Sequence, residues 1–123
     1  MGKILIVDDE NSIREILRHF IVSHFEFEVI EASSGEEAIG KLRSDNEIRV
    51  VICDYRMPMG NGGDVYQFVK ELGSVVPFVM MSTDPPEKYP VFNGFRESNL
   101  KNDFLKKPFR KDKLISCLEK ILK

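Results

Sequence analysis

The stretch Val51-Ile52-Cys53-Asp54-Tyr55-Arg56-Met57-Pro58 decides how the rest of the chain is interpreted. An apolar run, residues 50–53, ends at the Asp54 carboxylate and is followed by a glycine-rich turn, residues 59–63. A short apolar run closed by turn residues predicts a strand that is buried on both faces. Asp54 is then expected to be the first residue after this strand, at the carboxyl edge of a sheet, where open α/β sheets bind ligands.

Four further runs predict strands, at residues 3–7, 27–30, 77–81 and 103–106. Apolar residues at helical spacing predict four helices: over about 11–24, from Ser34 through Leu42, from Val65 to Leu72, and over 111–122. Ser12 with Glu15, and Ser34 with Glu37, have the spacing of capping boxes. Three prolines disfavour helix over residues 84–102, which leaves only about 91–98 for a short helix.

Strands that alternate with helices predict an α/β fold with a parallel sheet. We expect a flavodoxin-like three-layer sandwich, with a five-stranded parallel sheet in the order 2-1-3-4-5 and about five helices. The fourth helix is expected to be irregular or shortened. The length and the 42% hydrophobic and 31% charged composition are typical of one globular domain, which we expect to span residues 1–123.

The cysteines, the histidines and the apolar run at the start of the chain limit the classes of function. Cys53 and Cys117 form no disulfide framework and no paired metal motif, which favours a reducing compartment and predicts a cytoplasmic protein. No apolar run at the start is long enough for a signal peptide or a membrane span, so no membrane association is expected. His19 and His24, with no third ligand in reach, are interpreted as surface residues.

Charge is unevenly distributed along the chain, with a net −7 over residues 1–95 and +5 over residues 96–123. This asymmetry predicts a basic surface near the C-terminus that would meet an acidic protein partner; a solvated helix face is the alternative. The density of basic and aromatic residues is too low for a nucleic-acid-binding domain.

Polar residues follow four of the predicted strands: Asp8, Asp9 and Glu10, then Asp54, then Ser82 and Thr83, and finally Lys107. In the expected strand order these groups face one crevice. Two carboxylates ~5 Å apart repel by roughly 3 kcal/mol at an effective dielectric of about 20, and a hard cation such as Mg²⁺ relieves that repulsion. Such a cluster beside a lysine and a hydroxyl suits a phosphoryl group, with a carboxylate as the nucleophile. The alternatives are helix caps for the acids and the serine, and a surface role for the lysine.

Together these residues resemble the response-regulator receiver domain, the CheY-like phosphoacceptor of two-component signalling, from Ile4 to Leu122. The motifs are Ile-Val-Asp8-Asp9-Glu10, Asp54-x-x-Met57-Pro58 with Gly62, Val-Met-Met-Ser82, and Phe104-Leu-Lys-Lys107-Pro108-Phe109. The resemblance implies that Asp54 takes a phosphoryl group from a histidine kinase or a phosphotransfer protein, and that Mg²⁺ is required.

The resemblance also implies roles for the other motif residues. Asp9, Asp54 and the backbone carbonyl of Arg56 would bind the metal, and Asp8 would act mainly through metal-bound water. Lys107 would contact the phosphoryl oxygens.

Ser82 and Phe104 would form a switch pair. The hydroxyl would move to the phosphoryl group while the ring turns inward, and this would remodel a protein-binding face made by the fourth helix, the fifth strand and the fifth helix.

The chain departs from the family pattern in several places. Thr83 stands where a small residue is usual, which predicts a partly obstructed site. About three extra residues precede Lys107, and Leu100-Lys101-Asn102 replaces the usual Gly-Ala before the fifth strand. The two positions that tune dephosphorylation in the family are Arg56 and Asp84 here, and these are candidates to pair with each other.

We interpret the chain as a stand-alone receiver: an interaction module controlled by phosphorylation, which catalyses only its own phosphorylation and slow hydrolysis. A small aspartate-nucleophile phosphohydrolase is disfavoured, because Arg56 stands where the general acid would be and no cap segment is present. A phosphorylation-independent adaptor, which contacts its partner through residues 84–102, is the remaining alternative.

Overall fold

The computed structural model describes residues 2–122, so the outermost residues of the predicted domain, 1 and 123, lie outside it. Its five strands are β1 (Lys3–Val7), β2 (Glu28–Ala32), β3 (Ile48–Asp54), β4 (Phe78–Ser82) and β5 (Asp103–Lys106). They pair in parallel in the order β2-β1-β3-β4-β5. The predicted sheet and its strand order are confirmed.

Four helices connect the strands and a fifth follows β5: α1 (Asn11–Val22), α2 (Gly35–Ser44), α3 (Gly62–Glu71), α4 (Phe95–Ser98) and α5 (Lys111–Leu122). The part of the chain before α4 forms two 3₁₀ turns, Pro86–Lys88 and Pro90–Phe92. The shortened fourth helix is therefore confirmed, and each of the two turns begins with a proline, which cannot donate the backbone hydrogen bond that a longer helix needs. No helix within residues 2–122 is long and apolar enough to cross a membrane.

The sheet is covered on both faces, as the continuous apolar runs of β1, β3 and β4 predict. Alternate strand residues point to opposite faces, so Ile4 and Ile52 pack with α1 and α5, whereas Leu5 and Val51 pack with α2 and α3. The flavodoxin-like three-layer arrangement is confirmed.

Aromatic side chains hold residues 84–99, which we call the fourth segment. Phe92 stacks on Tyr66 of α3 with ring centroids 4.9 Å apart, and Phe95 meets the same ring edge-on at 5.2 Å. The buried Asn102 side chain accepts a hydrogen bond from the Phe78 N–H and donates one to the Phe95 carbonyl, both at 2.8 Å. The segment thus packs against the sheet without forming a long helix.

The helix α1 starts at Asn11, as predicted, but the predicted capping box at its start is absent. The helix begins at Asn11 and follows Glu10, whose side chain forms no capping hydrogen bond. Ser12 and Glu15 therefore lie inside the helix and form no capping box, because the N-cap is Glu10, two residues before Ser12.

The predicted capping box of α2 is half present. The Ser34 hydroxyl accepts the Glu37 N–H at 3.1 Å, but the Glu37 carboxylate accepts the Ser33 N–H at 2.7 Å instead of the Ser34 N–H. β2 also begins and ends later than predicted, at Glu28 and Ala32.

Candidate functional site

The predicted acidic residues converge at the carboxyl edge of the sheet. Asp8 follows β1 and is fully buried, whereas Asp9 and Glu10 are exposed. Asp54 is 7% exposed and is the last residue of β3, not the first residue after it. The reason is that β3 pairs with β4 for one residue more than expected, with Asp54 opposite Met81.

The donor set of this edge fits a hard cation. Asp8, Asp9 and Glu10 each place one carboxylate oxygen within 4.8 Å of the others. A cleft of about 270 Å³ joins this group to the rest of the site, and its lining residues are Asp9, Glu10, Asp54, Arg56, Ser82, Thr83 and Lys107. Carboxylate oxygens around an open cleft are the donors that Mg²⁺ prefers, since it keeps several water ligands.

Lys107 links the two buried carboxylates. Its Nζ lies 3.2 Å from Oδ1 of Asp54 and 3.3 Å from Oδ2 of Asp8. Burial lowers the pKa of Lys107, but the two neighbouring carboxylates raise it more, so the pKa lies above its ordinary value of 10.5. The ammonium group therefore carries a full positive charge at neutral pH.

Burial sets the proton affinity of Asp54. It raises the pKa of Asp54 from 3.8 to about 6; Lys107 opposes this rise, and the negative charge of Asp8 adds to it. The carboxylate is thus ionised at neutral pH and more basic than an exposed aspartate, as suits a nucleophile.

The predicted switch residues, Ser82 and Phe104, lie on neighbouring strands. Ser82 is 3% exposed, lines the cleft with Asp54, and accepts the Asp84 N–H on its Oγ at 3.1 Å. Phe104 is half-buried; it packs with the side chains around α3 and also borders a groove beside β5. Ser82 therefore lies at the cleft, whereas Phe104 lies between the side chains around α3 and the groove.

The candidate pair at the mouth of the cleft is present. Arg56 Nη2 lies 3.8 Å from the Asp84 carboxylate, which also lies 3.2 Å from Lys88 Nζ and accepts the Tyr89 hydroxyl at 3.3 Å. Thr83, which the sequence predicted to obstruct the site partly, lines the cleft and has an exposed side chain.

Two features of the site were not predicted. Tyr89 of the fourth segment stacks on Tyr55, the residue after Asp54, with ring centroids 3.9 Å apart. Arg14 of α1 donates to the Asp8 backbone carbonyl at 2.7 Å. Neither contact has a motif or a periodic pattern that would indicate it in the sequence.

A basic groove runs beside β5 and α5, where the charge asymmetry predicted one. Its volume is about 610 Å³, and its charged lining residues are Asp103, Lys106, Lys107, Arg110, Lys113 and Lys120. A second groove of about 520 Å³ shares Asp103 and Lys120 and adds Arg96 and Lys101. Positive charge therefore dominates this surface, whose lining also includes Phe104, Phe109 and Cys117.

The histidines lie at the surface, as predicted, and both cysteines are buried. His19 and His24 are exposed, with His24 Nε2 3.3 Å from the Glu119 carboxylate, and no metal-ligating group of the described residues includes either one. Cys53 and Cys117 are buried free thiols.

Comparison with known proteins gives consistent matches. A family model described as the response regulator receiver domain matches residues 4–119. The response regulator SaeR of Staphylococcus aureus (strain USA300) is 30% identical over 125 residues, which cover 99% of this chain and 51% of SaeR. The chain therefore spans about half the length of the curated relatives it matches.

Solved structures of similar length give the same result. The chemotaxis response regulator CheY4 of Vibrio cholerae is 30% identical, with a TM-score of 0.82 and 98% of each chain covered. A putative response regulator from Chloroflexus aurantiacus J-10-fl is also 30% identical, with a TM-score of 0.81 over 98% of this chain and 97% of that one.

Proposed function

The chain belongs to the response regulator receiver domain family of two-component signalling, and we propose that it accepts a phosphoryl group on Asp54 and thereby changes its affinity for a protein partner. The observation that carries this proposal is the position of Lys107. Its ammonium group lies within 3.3 Å of both buried carboxylates, Asp54 and Asp8. This arrangement supports phosphoryl chemistry, because the same charge can follow the phosphoryl oxygens once Asp54 is modified.

The proposed step is a transfer from the phosphohistidine of a histidine kinase or a phosphotransfer protein. An ionised oxygen of Asp54 forms a bond to phosphorus as the nitrogen–phosphorus bond breaks, and the electron pair of that bond remains on the imidazole nitrogen, which takes up a proton. The pKa of about 6 supports this role, because the carboxylate is ionised at neutral pH. Small phosphodonors would transfer a phosphoryl group to Asp54 in the same way. The domain would catalyse only its own phosphorylation and slow dephosphorylation, and no metabolic reaction.

The acidic cleft would hold Mg²⁺ for this step. Asp9, Asp54 and the Arg56 backbone carbonyl are the proposed ligands, with Asp8 acting through metal-bound water. When bound, the ion would neutralise oxygens of the transferring group and relieve the repulsion among the carboxylates.

The switch would follow from the new charge on Asp54. A phosphoryl dianion would attract Lys107 and a hydrogen bond from the Ser82 hydroxyl, and Phe104 would turn inward as the serine moves. Moving a two-state equilibrium from 1:99 to 99:1 takes about 5.5 kcal/mol. Hydrogen bonds to charged groups contribute roughly 1.5–3 kcal/mol each, so two or three such contacts suffice.

The basic groove beside β5 supports an acidic protein segment as the downstream partner. Its charged lining residues are five cations and one acid, Asp103, so an acidic segment would find complementary charge. Phe104 borders the same groove and would connect it to the switch.

Intact-mass spectrometry with acetyl phosphate tests the proposed chemistry. We expect a gain of one phosphoryl group in the wild type with Mg²⁺, and no gain with EDTA or in Asp54→Asn. Thermal unfolding of both proteins serves as the folding control. An unmodified wild type under conditions in which it binds Mg²⁺ would point to an obstructed site and favour the adaptor function.

The alternative function is an adaptor that binds its partner in both phosphorylation states. The observation that favours it is the fourth segment, where two 3₁₀ turns and a four-residue helix occupy the place of the usual output helix. Affinity for a partner before and after phosphorylation separates the two functions, since only the receiver function predicts a change.

A further inference from the structure

The Arg14 side chain joins three parts of the chain around the acidic cleft. It is 14% exposed, and its Nη1 donates to the backbone carbonyl of Asp8 at 2.7 Å. Its Nε donates to the Glu31 carboxylate of β2 at 2.9 Å, and its Nη2 donates to the Asn11 side chain at 3.1 Å. The guanidinium is therefore fixed in direction by acceptors on separate elements.

Asp8 and Asp9 are held in different ways. The Asp8 carboxylate accepts the Glu10 N–H at 2.9 Å and lies 3.3 Å from Lys107 Nζ. For Asp9, the hydrogen bonds and ion pairs within residues 2–122 include none to the side chain, which is exposed. The direction of the Asp9 carboxylate therefore depends on the backbone that carries it.

That backbone is the peptide plane between Asp8 and Asp9. A peptide unit is planar, so a bond to the Asp8 carbonyl oxygen restrains the Asp9 nitrogen and Cα as well. In a continued strand the two side chains would point to opposite faces. Instead, one oxygen of each lies within 4.8 Å of the other, in the turn whose carbonyl Arg14 holds.

We propose that Arg14 is a positioning residue for the metal site: by holding the Asp8 carbonyl it directs the Asp9 carboxylate towards the cleft and so sets the affinity for Mg²⁺. This role rests on the proposed function, in which Asp9 is a metal ligand. Arg14 itself is neither a proposed metal ligand nor one of the residues that line the cleft.

An arginine is required because three acceptors lie in different directions. The planar guanidinium has five donors in a fixed fork, whereas a lysine ammonium serves as a compact point charge on a flexible stem. Glu31 anchors the fork from β2. Burial raises the pKa of Glu31, but hydrogen bonds from Arg18 and Arg14 lower it more, so its carboxylate stays ionised.

Positioning and charge predict opposite effects when Arg14 is neutralised. Removing a nearby positive charge would tighten the binding of a cation, because the repulsion disappears. Removing the bond to the Asp8 carbonyl would weaken binding, because Asp9 loses its fixed direction. The sign of the change in Mg²⁺ affinity therefore separates the two effects.

Arg18 supplies a matched control. It donates to the same Glu31 carboxylate at 2.7 Å, but its other hydrogen bond goes to the Val29 carbonyl at 3.0 Å, away from the Asp8–Asp9 turn. Arg18→Gln thus removes one positive charge and one Glu31 contact without touching the Asp8 carbonyl.

The test is isothermal titration of MgCl₂ into the wild type, Arg14→Gln, Arg14→Lys and Arg18→Gln. Because partners behind metal ligands typically change metal affinity by 10- to 100-fold, we expect Arg14→Gln to weaken Mg²⁺ binding roughly 10-fold. Arg14→Lys keeps the charge and should be weakened nearly as much, whereas Arg18→Gln should stay within about two-fold of the wild type. Unfolding midpoints in EDTA show whether each variant is folded.

Should Arg14→Gln fail to fold, Arg14→Lys carries the test: it keeps the positive charge but not the planar fork, so a loss of Mg²⁺ affinity in the folded Arg14→Lys protein still reports positioning. Wild-type or tighter binding in a folded Arg14→Gln protein would overturn the proposal. Equal weakening in Arg18→Gln would also overturn it, because the effect would then come from the lost contact to Glu31, which both arginines share. A wild type that binds no Mg²⁺ would refute the proposed metal site itself, and this role with it.

Discussion

Replacing Asp54 with asparagine should stabilise the metal-free protein, and the gain should grow with pH. Burial raises the pKa of Asp54 from 3.8 to about 6, so the folded state binds this proton more tightly than the unfolded chain does. The stability that the group contributes is fully present below pH 3.8 and is lost as the pH rises through 6. Asparagine does not ionise and escapes this loss.

The size of the effect follows from the two pKa values. A rise from 3.8 to about 6 corresponds to about 3 kcal/mol of unfolding free energy at full ionisation, at 1.36 kcal/mol per pKa unit. Of this, about 1.4 kcal/mol develops between pH 5 and pH 7.5. Lys107 keeps a partner in the variant, since Asp8 lies 3.3 Å from its Nζ.

Urea unfolding in EDTA at pH 5, 6 and 7.5 measures the difference between Asp54→Asn and the wild type. Asp45→Asn is the control: a hydrogen bond from Lys3 lowers the pKa of Asp45, so this variant should lose stability by an amount that is constant over the same range. Added Mg²⁺ should stabilise the wild type more than Asp54→Asn and narrow the difference. A difference between wild type and Asp54→Asn that does not change with pH would refute the burial argument.

Three further predictions concern packing and the lifetime of the phosphorylated form. Gly35→Ala should destabilise the fold by more than about 2 kcal/mol, because the added Cβ would lie 2.4 Å from a carbonyl oxygen of the loop after β3. Gly40→Ala is its control: the space around Gly40 is open, so alanine should stabilise helix α2 by roughly 0.5–1 kcal/mol. Asn102→Ala should cost about 2–3 kcal/mol in thermal unfolding, since it leaves two buried backbone groups without their partner. Asp84→Ala frees Arg56 to approach the phosphoryl oxygens, so mass spectrometry should find that the phosphorylated protein has a half-life up to about five-fold longer than in the wild type. A shorter half-life would contradict the idea that Asp84 holds Arg56 away from the phosphoryl group.

The strands β1, β3 and β4 were predictable because the sequence shows each of them as a nearly continuous apolar run. Their ends were not, because an end depends on how far the neighbouring strand continues. Asp54 belongs to β3 since it pairs with Met81, and nothing within residues 51–58 indicates that partner. Ser12 and Glu15 show the same limit for helices, because matching spacing does not decide where the chain turns.

The site was predictable to the extent that its residues follow strand ends. Parallel strands bring their carboxyl ends to one edge, so the order of the strands alone placed Asp8, Asp54 and Lys107 together. Arg14 was missed because its hydrogen bond goes to the Asp8 backbone carbonyl. The direction of a backbone carbonyl depends on the fold and cannot be inferred from the residue types. The stack of Tyr55 on Tyr89 joins residues 34 positions apart, with no pattern between them.

The fourth segment shows how a change in secondary structure alters the proposed route from cleft to surface. Prolines indicated that the helix would be broken, but the contacts that replace it connect the segment to the site. The Ser82 hydroxyl accepts the Asp84 N–H, and the Asp84 carboxylate is held by Lys88 and Tyr89 of the segment. If Ser82 moves towards a phosphoryl group, the bond to Asp84 must lengthen or Asp84 must follow. Asp84 would then be the first residue to respond, and it contacts both Arg56 and the fourth segment. The signal would therefore reach residues 84–99 through Asp84 as well as through Phe104.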